Sequence, residues 1–101
     1  MADEAAYRQW RESARAVKAV TADNDLALWE KVHKVNQAYA GLALEGLQSK
    51  HRHKILAAFG KVNTVFAKYT IDSFDDYEKI STEDLREIIR TVNALVPPKA
   101  K

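Results

Sequence analysis

No proline interrupts the first 96 residues of this chain, and this continuity limits what the chain can fold into. The two prolines are Pro97 and Pro98, and only three glycines are present. Apolar side chains recur every three or four residues along most of the chain, which is the spacing of one face of an α-helix. We therefore predict an all-α protein, a small helical bundle of three to four main helices plus a short helical turn, with dimerisation as one way to complete it.

Two helices are predicted in the first half of the chain. The first covers residues 3–20, because Tyr7, Trp10, Ala14 and Val17 fall on one stripe. Residues 21–24 then offer a break and a new N-cap. The second helix starts near Asp25, and its apolar face continues for about six turns. That face consists of Leu28, Trp29, Val32, Val35, Tyr39, Leu42, Ala43 and Leu47.

The junction between the second and third helices has two interpretations. A third helix is predicted over residues 49–69, but its apolar stripe is rotated by about 140° from that of the second helix when one helical geometry is continued. Either the chain turns near residues 46–49, or residues 25–69 form one long helix that presents two faces to two partners. The long helix would require an oligomer, and we favour the turn.

The last part of the chain has clear helix signals. Ser73 and Asp76 have the spacing of a capping box, which predicts a short helical turn over residues 73–80 with Phe74, Tyr77 and Ile80 inward. Ser81 caps a final helix that Pro97 stops. We predict one helical domain over residues 1–96 and a short flexible tail over residues 97–101. The predicted core consists of Trp10, Val17, Leu28, Trp29, Val32, Val35, Tyr39, Leu42, Leu47, Ile55, Phe59, Val62, Phe66, Leu85, Ile88, Ile89, Val92 and Leu95.

Charge is unevenly distributed along the chain, although the net charge is only +2. Residues 46–71 contain five basic residues, counting lysine and arginine, and no acidic residue, whereas residues 72–87 contain seven acidic and two basic residues. Because opposite charges on neighbouring helices attract each other, we expect the two blocks to pack side by side and to neutralise each other in part.

The sequence contains no recognisable catalytic, cofactor or metal site. It has no cysteine and no glycine-rich phosphate loop, and its three histidines are too few for a structural zinc site. We therefore predict a protein that is not an enzyme and needs no cofactor or metal. No secretory signal is visible, and no segment reaches the roughly 18 apolar residues of a membrane span. We expect a cytoplasmic protein without a membrane partner.

Four residues are candidates for a protein interface. Tyr7, Trp10 and Arg11 belong to the residue types in which interface energy concentrates. Asn36 lies in the middle of the apolar face of the second helix, where an asparagine can determine register and oligomer number. The leading hypothesis is a non-enzymatic protein–protein interaction module, a small adaptor, regulator or inhibitor that acts as a homodimer.

Two groups of basic residues support an alternative, a regulator that binds nucleic acid. Cations at three- and four-residue spacing form a stripe on one face of the first helix, and a row of cations can follow phosphates. A second group surrounds two histidines at residues 50–54. The candidate residues are Arg8, Arg11, Arg15, Lys18, Lys50, Arg52 and Lys54.

Overall fold

The computed structural model describes residues 4–97, and every regular element in this range is helical. Its four α-helices are α1 (Glu4–Ala22), α2 (Leu28–Tyr39), α3 (Ser49–Phe66) and α4 (Thr82–Asn93). Two shorter 3-10 helices connect them, the first 3-10 turn (Leu44–Gly46) and the second 3-10 turn (Phe74–Lys79). The predicted all-α fold is confirmed.

The helix α1 buries one narrow stripe and ends in a side-chain-stabilised turn. Its buried residues, Ala6, Trp10, Ser13 and Val17, are spaced by four, three and four positions. After α1 the backbone amide of Asp25 donates to the Asp23 carboxylate at 2.9 Å, which stabilises a turn. The predicted first helix residue, Asp3, lies outside the described residues, and so does all of the predicted tail over residues 97–101 except Pro97.

The helix α2 is much shorter than its apolar pattern predicts, and the prediction that it continues to Leu47 is wrong. It ends at Tyr39, and Gly41 has a φ of 78°, which glycine adopts far more readily than other residues. The side chain of Gln9 holds the segment that follows. Its Nε2 donates to the carbonyl of Gly41 at 3.1 Å, and its Oε1 accepts from the amide of Ala43 at 2.9 Å. Residues 25–69 therefore contain two α-helices instead of one, and residues 40–48, which include the first 3-10 turn, separate them rather than a turn at residues 46–49 alone.

The second 3-10 turn and α4 begin with the predicted caps. The Asp76 carboxylate accepts from the backbone amides of Asp72 at 2.8 Å and Ser73 at 3.0 Å. The Ser81 hydroxyl accepts from the amide of Asp84 at 3.1 Å. Both elements thus start where the short-range sequence pattern predicts.

The second 3-10 turn buries fewer of its side chains than predicted. Of its predicted inward residues, Ile80 is buried, whereas Phe74 is 42% exposed. The prediction for Phe74 is wrong, because its ring lies on the outer side of α2, against Trp29 and His33, instead of in the core. The helix α4 ends at Asn93, before the chain reaches its prolines.

One core joins the four helices. The helix α2 packs against α1, α4 and the second 3-10 turn, while α4 also contacts α1 and α3, so both helices are central. Most of the predicted core residues are buried, and the core also includes Ala6, Val65 and Ile80. The predicted core residues that remain half-buried are Leu28, Trp29, Leu42, Phe59, Phe66 and Ile89.

A buried hydrogen bond ties the end of α2 to the end of α4. The hydroxyl of Tyr39 donates to the carbonyl of Leu95 at 3.0 Å. Burial raises the pKa of Tyr39, and the nearby indole N–H of Trp10 opposes this in part, although it falls short of full hydrogen-bond geometry. The bond satisfies a carbonyl just beyond the last turn of α4, where no helical partner exists.

Candidate protein interface

An open groove of about 210 Å³ lies between α2 and α3. It exists because both helices pack on α4 while few of their described residues contact each other. The floor is apolar and includes Val35, Val62 and Val92. The complete lining is Val35, Asn36, Tyr39, Ala40, Phe59, Val62, Asn63, Phe66 and Val92.

The α3 edge of the groove has the spacing of a helix-pairing stripe. Leu56, Phe59, Asn63 and Phe66 are separated by three, four and three residues, so they lie on one side of the helix. Phe59, Asn63 and Phe66 line the groove, and Leu56 continues the stripe beyond the lining. Leu56 is 48% exposed, and Phe59 and Phe66 are half-buried. This is the arrangement in which an apolar seam meets another helix, with Asn63 as its polar member.

Two asparagines line the groove, one from each helix. Asn36 of α2 is half-buried and Asn63 of α3 is exposed. Within residues 4–97, neither side-chain amide has a hydrogen-bond partner. Each amide offers donors and an acceptor to an incoming chain. The structure therefore places Asn36, the polar residue on the apolar face of the second helix, in an open groove that holds a second asparagine.

An aromatic cluster adjoins the groove through the contact between Tyr77 and the lining residue Phe66. The ring of Phe74, from the second 3-10 turn, lies 4.4 Å from His33 and 5.0 Å from Trp29 between centroids. Tyr77 lies 5.2 Å from His33 and 5.8 Å from Phe66. The Nδ1 atom of His33 is buried without a hydrogen-bond partner. The cluster extends the apolar surface from the groove onto the second 3-10 turn.

Among the described residues, those that line the groove include no charged side chain. Lys61 of α3 and Lys68, just after α3, point to α4. Lys61 forms an ion pair with Glu87 at 2.7 Å, and Lys68 forms one with Asp84 at 3.5 Å. The bond from Lys61 lowers the pKa of Glu87, while the Tyr69 hydroxyl and then Lys68 lower the pKa of Asp84. The predicted pairing of the positive and negative blocks is confirmed at these contacts.

The other predicted interface residues do not line the groove. Trp10 is 0% exposed, so its prediction as a surface anchor is wrong, and its place in the predicted core is confirmed. Trp10 lies on the buried stripe of α1 and packs in the core that joins the helices. Tyr7 is half-buried, with its ring 6.3 Å from Trp10 and 5.9 Å from His51, and Arg11 is half-buried beside Val96 and Pro97.

Three residues of this surface were missed at the level of sequence. Asn63, Leu56 and Phe74 are exposed. From the sequence, Phe74 is predicted to point inward, and of the α3 stripe Phe59 and Phe66 are predicted, both as core residues. The spacing of the α3 stripe is visible in the sequence and could have predicted it. The exposure of Phe74 could not be predicted in this way, since it depends on how the second 3-10 turn lies against α2.

The basic candidates lie mostly at the surface. Arg8, Arg15, Lys18, Lys50 and Lys54 are exposed, and Arg52 is half-buried like Arg11. Packing of His51 against Tyr7 and Trp10 brings the start of α3 next to α1, so the structure places the two basic groups on adjacent elements.

Residues 4–97 bring together no group of three or more histidine, aspartate and glutamate side chains that could hold a metal ion. None of the helices in this range is long and apolar enough to cross a bilayer.

The chain matches no protein-family model, and comparisons with curated proteins and with solved structures find no match. The function of the chain must therefore be inferred from its own surfaces.

Proposed function

We propose that this protein is a non-enzymatic protein–protein interaction module, a small cytoplasmic adaptor, regulator or inhibitor, and that it forms a homodimer through the groove between α2 and α3. The observation that carries the proposal is the open, mostly apolar groove, with two large exposed hydrophobic side chains of residues 4–97 next to it. Leu56 continues the α3 stripe beyond the groove lining, and Phe74 adjoins the lining residue Phe66 through Tyr77. Exposed apolar surface that is contiguous and lies beside polar residues is typical of an interaction site.

A second copy of the chain fits this surface because the surface is electrically neutral. In a two-fold dimer the same patch of both copies is buried, and residues near the axis meet their own copies, so an unpaired charge on the patch would be either desolvated or repelled. The lining residues within 4–97 carry no charge that would be desolvated or repelled. Asn36 and Asn63 can then exchange hydrogen bonds between copies, and such buried asparagines favour one register over others.

The size of the surface predicts a weak dimer. The 18 residues of α3 span about 27 Å, and two helices side by side are about 20 Å wide, which gives an area of roughly 500 Å² per copy. Stable interfaces bury about 800 Å² per partner. We therefore expect dissociation constants in the micromolar range, and a dimer that forms at high protein concentration.

Introducing a negative charge on the groove edge tests the proposal. We expect Asn63→Glu to convert the dimer to a monomer, because the dimer would bury an unpaired carboxylate in a mostly apolar groove. Sedimentation velocity over a hundredfold range of concentration would measure this, with wild type approaching twice the chain mass of 11.4 kDa. Asn63 is exposed, so the change leaves the core intact.

The matched control is Gln37→Glu, the same amide-to-acid change at an exposed position of α2 outside the groove lining. It should dimerise like wild type. A second variant, Asn36→Leu, should alter the oligomeric state by removing the polar member of the α2 side. A wild-type monomer at all concentrations, or equal effects of Asn63→Glu and Gln37→Glu, would overturn the groove as the dimer interface.

A further inference from the structure

A basic surface formed by α1 and the start of α3 lies outside the groove. Residues 94–97, which follow α4, connect its two parts. On one side they line a cleft of about 220 Å³ with Arg11, Arg15 and Lys18, and on the other side they line a cleft of about 350 Å³ with Lys54. The His51 ring, 5.3 Å from Trp10, holds the start of α3 against α1. We define the basic surface as Arg8, Arg11, Arg15, Lys18, Lys50 and Lys54.

The charges of the basic surface are not neutralised within the part of the protein that the structure describes. The ion pairs within residues 4–97 use Lys61, Lys68, Lys79 and Arg90, and none uses a cation of the basic surface. The two acids of α1, Glu4 and Glu12, form no ion pair with it either, and Glu87 in the larger cleft is already paired with Lys61 and Arg90.

The surroundings of His51 are consistent with this local excess of positive charge. Burial lowers the pKa of His51, and the charges of Lys50 and Lys54 lower it further. The first turn of α3 contains no acid and its N-cap residue, Gln48, makes no side-chain cap. Positive charge at a helix N-terminus opposes the helix dipole, so these cations cost the isolated protein some stability that an anionic partner would recover.

We propose that the basic surface binds the phosphate backbone of nucleic acid without recognising its sequence. The four cations of α1, from Arg8 to Lys18, span ten residues or about 15 Å along the helix, which is the length of about four nucleotides of a duplex strand. Arginine, which supplies three of the four, binds phosphate oxygens through two parallel N–H groups. Successive cations can therefore follow the phosphates of one strand.

The composition of the basic surface favours nucleic acid over an acidic protein. Protein interfaces are built around apolar or aromatic anchors. The basic surface offers little of this kind. Val96, which lines the smaller cleft, is 51% exposed, and the nearby Tyr7 is half-buried against Trp10 and His51. The described residues that line the two clefts include no aromatic ring on which a base could stack, so the expected contacts are with the nucleic-acid backbone.

The test measures anisotropy of a labelled 20-nucleotide single strand and of the corresponding duplex as salt is raised from 50 mM. We expect the full-length protein to bind both, with affinity that falls steeply with salt because counterions are released. The triple variant Arg8→Gln/Arg11→Gln/Arg15→Gln should bind at least tenfold more weakly at 50 mM salt. Its log–log salt slope for the duplex should be lower by about 2–3, or roughly 0.9 for each phosphate that the variant no longer neutralises.

The control triple variant, Lys34→Gln/Lys68→Gln/Lys79→Gln, removes the same net charge from other parts of the surface. It should bind within threefold of wild type, and circular dichroism should show that both variants are folded. Absence of wild-type binding at 50 mM salt, equal losses in both triples, or displacement of the nucleic acid by an equal charge of polyglutamate would each overturn the proposal. Because the basic surface and the groove share no residue, this result is independent of the dimer test.

Discussion

The Asp76 carboxylate organises the start of the second 3-10 turn on its own. It accepts from two backbone amides, those of Asp72 and Ser73, and forms an ion pair with Lys79 at 3.0 Å. These groups, with the Asp72 amide as the largest influence, lower the pKa of Asp76 from 3.8 to about 2. The carboxylate is thus bound more tightly as an anion in the folded protein than in the unfolded chain.

This difference predicts a pH-dependent effect of Asp76→Asn. In the unfolded chain the group titrates near 3.8, so its stabilisation is complete above that pH and is lost as the pH falls through about 2. We expect the variant to melt a few degrees below wild type at pH 7, as is typical of a lost cap. The difference in melting temperature should disappear between pH 4 and pH 2 in thermal scans.

The neighbouring substitution Asp75→Asn is the control, because Asp75 is exposed and takes part in none of the hydrogen bonds or ion pairs that Asp76 makes. It should leave the melting temperature nearly unchanged at every pH. A difference for Asp76→Asn that is as large at pH 2 as at pH 7 would show that the carboxylate charge is not what stabilises the turn.

At the level of elements, the end of α2 decides the shape of the molecule. If α2 continued beyond Tyr39, Leu42 and Leu47 would lie further along the α2 axis, and the chain would not turn back to contact α1. Gly41 at a φ of 78° and the two hydrogen bonds of Gln9 redirect the chain, and the first 3-10 turn then packs against α1. Leu47 is buried by this route rather than as part of a helical face.

Two glycine substitutions should have opposite effects on stability. Gly41→Ala forces a side chain into a left-handed conformation, which costs about 1–2 kcal/mol. Gly60→Ala lies within α3, where an added Cβ would meet nothing within 4 Å, and should stabilise the protein by roughly 0.5–1 kcal/mol through higher helix propensity. Urea denaturation of both variants measures the two free energies of unfolding, and effects of the same sign would contradict the roles assigned to these glycines.

At the scale of the whole molecule, the protein has two distinct surfaces, the uncharged groove and the basic surface, and its net charge of only +2 does not reveal them. The helix α3 contributes to both of them. One of its edges carries the uncharged stripe of the groove, and its first turns carry Lys50 and Lys54 next to α1. Further along the chain, Lys61 and Lys68 pair with α4. A dimer through the groove would leave the basic surfaces of both copies accessible.

Dimerisation should make thermal stability depend on protein concentration, since only the folded chain presents the groove. A partner that binds the folded state alone stabilises it by about 2.7 kcal/mol at a hundred times its dissociation constant. We expect the melting temperature of wild type to rise by several degrees between about 1 μM and 100 μM. The melting temperature of Asn63→Glu should be the same at every protein concentration, and that of Gln37→Glu should rise as in wild type. Scanning calorimetry measures both, and a concentration-dependent Asn63→Glu or a concentration-independent Gln37→Glu would contradict the prediction.

Much of the local structure follows from sequence alone, because it depends on residues close together in the chain. The spacing of apolar residues predicts the helices, Ser81 predicts the start of α4, and Ser73 with Asp76 predicts the second 3-10 turn. Opposite charge blocks predict that α3 and α4 neutralise each other, as the Lys61–Glu87 pair confirms. Asn36 stands out as a polar residue on an apolar face.

Only the tertiary structure decides where the apolar faces are covered and where they stay open. Gln9 holds the chain just after α2 from 32 and 34 residues away, a contact that no local pattern encodes. Trp10 is buried while Phe59 and Phe66 remain partly open, although all three lie on apolar stripes. Periodicity specifies which side of a helix is apolar, but burial depends on which helices meet there, and α3 meets α4 while leaving its side toward α2 open.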